Sequence, residues 1–122
     1  MKNYEVMSDN ELNTMVADLR GGYAGNVHGS ESKVKVSDPD SCGLFYMEVD
    51  YCNNPSDAWP IILEYQISIA KYEWIEKWDA HGGGVCVDYD HCIISNSDCS
   101  YSNKNPLRAA MVVFLMMQES KS

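Results

Sequence analysis

The segment Leu107–Gln118 constrains this chain more than any other. Leu107, Ala110, Met111, Val112, Val113, Phe114, Leu115, Met116 and Met117 leave it apolar on nearly all sides. A helix of that kind is buried between layers or between subunits. Asn105-Pro106 marks its start, with Asn as N-cap and Pro at the first helical position, where a missing N–H is harmless. The longest apolar run, Ala109 to Met117, falls far short of the roughly 20 residues that a bilayer demands. The helix therefore predicts a core element and not a membrane span. With 122 residues, a single domain over 1–122 is expected to wrap it. A chain of this length can hide roughly two thirds of its unfolded surface, so neither a metal nor a disulfide staple is needed for folding.

The covering layers are legible upstream. Ser8-Asp9-Asn10-Glu11 has the form of a capping box, and Leu12, Met15, Val16 and Leu19 follow at helical spacing, predicting a helix from about Asp9 to Arg20 that Gly21 and Gly22 stop. Gly21 to Glu31 is rich in Gly, Ser and Asn and reads as a mobile loop. Val34 and Val36 alternate with lysines, predicting a short strand; Asp38 to Gly43 reads as a turn, and Leu44 to Tyr51 as a second strand paired with the first. Asn54-Pro55-Ser56-Asp57 opens another helix. Asn54 or Ser56 can serve as its N-cap, and Ser56 is preferred, because Pro60 then falls in the first turn. Ala58, Ile61, Ile62 and Tyr65 would share its buried face.

Ile67 and Ile69 predict a short strand. Lys71 to Ala80 fits either period, and the strand is favoured. Val85 to Ile94 alternates more clearly, and Gly82-Gly83-Gly84 would join these two as a hairpin. Ser95 to Lys104 reads as a polar loop. The fold class expected is α+β: a small, mainly antiparallel sheet packed with three helices, the apolar C-terminal helix in the core.

Charge narrows the functional classes. Eighteen acidic residues against nine basic ones give a formal net charge of −9. That balance argues against direct nucleic-acid binding, which needs clustered Lys and Arg. Met1 to Glu11 contains no apolar run of the kind a secretory signal needs. The odd set Cys42, Cys52, Cys86, Cys92 and Cys99 then reads as free thiols in a reducing cytoplasm.

No complete catalytic motif is present. His81-Gly82-Gly83-Gly84 matches an esterase oxyanion loop, but no Gly-x-Ser-x-Gly elbow accompanies it. A flexible turn is the better account. Asp38 to Gly43 opens like a calcium loop, yet Val49 stands where the bidentate Glu is required. Cys86, Cys92 and Cys99 with His81 and His91 offer zinc donors at unsuitable spacing. Pairing of Cys52 or Cys92 with His28 or His91 as a nucleophile and base has composition alone behind it. Neither a cofactor nor a metal is expected.

Asp50-Tyr51-Cys52-Asn53-Asn54-Pro55-Ser56-Asp57-Ala58-Trp59-Pro60-Ile61-Ile62 resembles the signature of the NinX-like phage and prophage proteins. So do Ile67-Ser68-Ile69, Trp78-Asp79-Ala80 and Asn105-Pro106-Leu107-Arg108-Ala109-Ala110-Met111, and the opening helix through Leu12, Val16 and Ala17 is similar. The resemblance covers most of the chain. At Trp59-Pro60 many members have Gly-Pro, and the stretch from His81 to Ser102 is variable territory. The resemblance implies a phage-encoded protein of the host cell cytoplasm and implies no activity.

The expectation that follows is a small acidic accessory protein acting by binding an unidentified host or phage protein, with a nucleic-acid or defence enzyme as one kind of target. The alternative is a small ligand-binding or enzymatic domain whose aromatic pocket would draw on Asp50, Tyr51, Asn53, Trp59 and Trp78. A homodimer burying Met111 to Met117 is compatible with both.

Overall fold

The computed structural model describes residues 3–38, 44–71, 74–82, 85–87, 93–95 and 99–120. Among them the expected α+β architecture is present, with its strands divided into separate small antiparallel sheets.

A 3-10 turn, Tyr4–Val6, leads into α1, Asp9–Arg20. Ser8 caps α1: its Oγ accepts from the Glu11 amide at 3.1 Å and donates to Glu11 Oε1 at 3.3 Å. Gly21, at φ 77°, ends the helix, a left-handed position that costs glycine little. Leu12, Val16 and Ala17 are buried, while Leu19 is exposed.

The stretch expected to be a loop contains a strand, β1, Tyr23–Asn26. It pairs antiparallel with β2, Val34–Ser37, which pairs in turn with β3, Tyr46–Val49. Glycine and asparagine disfavour strands intrinsically, but an available β2 edge supplies the hydrogen-bond partners that local propensity does not. Gly22 and Gly25 sit at φ 134° and 127°, and the β1 register slips between Tyr23 and Gly25, as a bulge would cause. The β2–β3 hairpin matches expectation, with Val34 opposite Val49 and Val36 opposite Met47 on the inward face. Apart from Asp38, its predicted turn lies outside the described residues.

The next helix, α2, is Pro55–Glu64. Its N-cap is Asn54, whose side chain accepts from the Ser56 amide at 3.0 Å, and not Ser56. The Asn-Pro pair decides this, since Pro55 then takes the N1 position that its fixed φ suits. Pro60 is consequently an interior residue of α2 and not a first-turn one. It is exposed, and the carbonyl it leaves unbonded, that of exposed Ser56, can be met by water.

After Gln66, a non-glycine residue at φ 54°, come β4, Ile67–Lys71, and β5, Trp78–Gly82. The favoured strand over Lys71 to Ala80 is thus two strand ends around a turn, with Trp74 lying 80% exposed. Two short strands, β6, Val85–Val87, and β7, Ile93–Ser95, replace the single one expected and pair with each other. The predicted hairpin between β5 and Val85 to Ile94 does not form among the described residues. Both edges of β5 are taken, by β4 and by β8, Ser100–Asn103, a strand inside the stretch read as a polar loop.

The last helix, α3, is Pro106–Ser120. Asn105 Oδ1 accepts from the Leu107 and Arg108 amides at 2.9 and 3.3 Å, as the Asn-Pro signal predicts. Ala109, Ala110, Met111, Val112, Val113, Phe114 and Leu115 are all buried to within 1%. The helix lies across β4, β5 and β8 and touches both α1 and α2. From Ala109 to Leu115 it is enclosed within one chain, while Met116 and Met117 are partly buried. Phe114 meets Tyr65 edge-on, ring centroids 4.9 Å apart. Gly82 permits the close approach of α3 to β5: a Cβ there would lie 2.8 Å from Met117 Sδ.

Candidate functional site

The turn between β3 and α2 gathers the polar residues singled out in the sequence. Asp50 is 8% exposed. Its carboxylate accepts from Asn13 Nδ2 at 2.8 Å, from Ser32 Oγ at 2.7 Å, and from Asn53 Nδ2 at 3.1 and 3.2 Å. Its backbone amide donates to Asp57 Oδ2 at 2.9 Å, and its carbonyl accepts from the Asn54 amide at 2.8 Å. Burial is the largest single influence on this carboxyl group and pushes its pKa up. The bonds from Ser32, Asn13 and Asn53 together outweigh that and hold it below the ordinary value, since donors favour the charged form. A carboxylate so fully engaged is a structural anchor for the turn and a poor general base.

Asn13 is the centre of the cluster. It is fully buried on the apolar face of α1. Besides Asp50 it donates to the Ser32 carbonyl at 3.0 Å, and its Oδ1 accepts from the Cys52 amide at 3.1 Å. The cluster continues to α3 through Asn105, whose Nδ2 donates to the Cys52 carbonyl at 2.6 Å and to Asn53 Oδ1 at 3.2 Å. Asn53 Nδ2 also reaches Asp9 Oδ2 at 3.1 Å. Asp9 Oδ1 in turn accepts from Arg108 at 2.6 Å, and Arg108 holds the Tyr4 and Met7 carbonyls at 2.9 and 2.6 Å. One network thus ties the chain's N-terminal turn, α1, the β3–α2 turn and the start of α3. Sequence reading missed Asn13, Ser32 and Arg108. The available signal was Asn13 itself, a polar residue beside Leu12, Val16 and Ala17 on a face that must be buried.

The five predicted pocket residues do not converge on one described cavity. Asp50 and Asn53 belong to the network. Tyr51 is buried, which raises its phenol pKa, and borders a small cleft with Arg20, Met47 and Pro60. Trp59 stands 54% exposed on α2. Trp78, partly buried, begins β5 and lines neither that cleft nor the groove beside Trp59. That groove is the larger opening, about 450 Å³, between α2 and β4. Trp59, Ile62, Leu63, Gln66, Ile67, Ser68 and Ile69 line it. Its floor is continuous with the core at Ile62 and Ile67, and Leu63 is 59% exposed on its wall.

Cys52 is poorly placed for nucleophilic work. Cys52 is fully buried, and burial, with Asp9 next in effect, raises its thiol to about 12. His28 lies exposed in the turn before β2, so the candidate pairing of Cys52 with His28 joins a buried neutral thiol to a surface ring and has no geometry behind it. Side chains of the other candidates, Cys42, Cys86, His91 and Cys92, fall outside the described residues.

A family model described as Bacteriophage P22, NinX matches residues 3–118. The chain belongs to this phage protein family. No curated protein matches it. The two segments in which the sequence resemblance is densest, from Asp50 to Ile69 and from Asn105 to Met117, are joined by the polar network through Asn105, Cys52 and Asn53. Much of that signature is therefore explained by how the helices and the β3–α2 turn are held together. Among the described residues, no helix is long and apolar enough to cross a membrane.

Proposed function

We propose that this phage protein is an accessory factor that works in the host cytoplasm by binding a protein target, a host nucleic-acid or defence enzyme being the kind of target its charge favours. The observation that carries this reading is the coexistence of a −9 charge with large apolar side chains left in solvent. Leu44, Phe45, Tyr46, Trp59, Leu63 and Trp74 are all more than half exposed. Exposed aromatic and aliphatic anchors supply the short-range energy of protein interfaces. An acidic field speeds encounter with a basic partner and fades with salt. The best-formed polar cluster is satisfied internally, which leaves it little to offer a substrate.

The test is affinity capture from host lysate with tagged protein at low and moderate salt, read by mass spectrometry. A near-stoichiometric partner that weakens with salt is expected; a clean lane at both salts counts against the reading. A second reading, a small-ligand site, draws on the groove beside Trp59, whose volume lies within the range of ligand pockets. A thermal-shift screen that raises the melting temperature with an apolar compound would favour it.

A further inference from the structure

We infer that the groove between α2 and β4 is the docking site for a basic protein segment with apolar anchor residues; this rests on the protein-binding reading above. Core packing is incomplete along this edge. Ile62 and Ile67 form a floor that is nearly buried, yet Trp59 and Leu63, one helical turn apart on α2, stand more than half exposed above it. Leaving a tryptophan and a leucine more than half in water forgoes favourable apolar burial. A partner that covers them recovers it.

The chemistry of the occupant follows from the lining and the charge. The groove wall carries no ionised side chain, and Gln66 and Ser68 are its polar members, so the inserted part is apolar. Helix α2 bears Asp57 and Glu64 and no basic residue. Glu64 is paired with Arg20, so attraction comes from the excess of carboxylates over the whole chain, with Lys71 at the far end of β4 the nearby exception. A second copy would bring another −9 to the same place and be repelled. A segment whose apolar residues are flanked by Lys or Arg is attracted instead. The groove lies open between a helix and a strand, which suits a length of chain better than a small molecule needing enclosure on most sides.

The experiment is selection of linear peptides from a random displayed library on the full-length protein. Binding of the selected peptides is then measured by fluorescence anisotropy at two salt concentrations. Each is compared on wild type and on Trp59→Ser/Leu63→Ser, whose fold is checked by circular dichroism. Because both side chains are largely in solvent, that variant should melt as wild type does. If it does not, Leu63→Lys alone replaces it. Enriched peptides should place Lys or Arg beside apolar residues, weaken several-fold at higher salt, and lose at least tenfold in affinity on the variant. Peptides that bind the variant equally well, lack basic residues or ignore salt overturn the inference, as does failure to enrich any. Light scattering that shows a wild-type dimer and a variant monomer overturns it in favour of a second copy. If lysate capture yields a salt-sensitive partner that the variant still holds, the groove assignment fails while the binding reading stands. If capture and selection both come back empty, the two fail together.

Discussion

Replacing Asn13 tests the claim that a buried polar residue organises this fold. In Asn13→Ala three hydrogen bonds disappear at once. The bond to the Asp50 carboxylate, 2.8 Å long, is charge-assisted and worth about 1.5–3 kcal/mol. The bond from the Cys52 amide, 3.1 Å, leaves a donor in a fully buried residue, at a cost of about 1–3 kcal/mol. The bond to the Ser32 carbonyl, 3.0 Å, is partly exposed and adds about 1 kcal/mol or less, because water can replace it. With Asp50 keeping its bonds to Ser32 and Asn53, the sum is about 2.5–7 kcal/mol, a large share of the roughly 5–15 kcal/mol that holds a domain folded.

Urea unfolding at neutral pH, followed by tryptophan fluorescence and circular dichroism, reads this loss as a lowered midpoint. A double-mutant cycle with Asp50→Ala should show a coupling of at least about 1 kcal/mol. Asn13→Asp should be worse than alanine at neutral pH, since it sets a second carboxylate against Asp50. A loss below about 1 kcal/mol for Asn13→Ala, or strict additivity in the cycle, would refute the reasoning.

Other consequences are open to measurement. Phe114→Ala should cost about 3–5 kcal/mol, because the ring is buried to within 1% against Tyr65; a melt matching wild type would contradict α3 as the core. The Asp50 pKa is lowered in the folded state from an ordinary 3.8, so its stabilisation is fully present above that value and is lost as pH falls through the folded value. Asp50→Asn, though less stable at neutral pH, should therefore lose less stability than wild type on acidification below about pH 5; parallel acid limbs would argue against it. In a variant retaining Cys52 as its lone cysteine, a thiol-disulfide reagent should react only as fast as the protein opens. Burial and a thiol raised to about 12 leave almost no thiolate at neutral pH. Rapid labelling of the folded protein would sink that claim.

Asn54-Pro55 and Asn105-Pro106 show how local a legible signal is. Both start helices in the same way, with Asn as cap and Pro at N1. At 105 the pair alone identified the start. At 54 a worry over Pro60 moved the expected cap to Ser56, and the structure restores the Asn-Pro rule, accepting a proline inside α2 where its neighbourhood is exposed. The α1 cap, the β2–β3 hairpin and the burial of α3 were equally local and equally readable. The candidate site was less so. Asp50 and Asn53 share a cluster as neighbours on one turn would, but Tyr51, Trp59 and Trp78 are sent to different places by the elements that carry them.

What the chain determined by itself was whatever depends on neighbours within a helical turn or a strand period: the three helices, the inward valines, and an apolar final helix that obliges everything else to cover it. What only the tertiary structure decided was pairing at a distance. β1 and β8 are polar and glycine- or serine-rich, with little propensity of their own, and become strands because β2 and β5 offer them edges. The stretch from Lys71 to Ala80 favours a strand by its period, and yet its span from Trp74 to Lys77 forms none. Asn13, Asp50 and Asn105 meet across 37 and 53 residues of separation between bonded partners. Hydrogen bonds between backbone edges and between buried amides are formed only once distant segments are brought together, so no local pattern announces them.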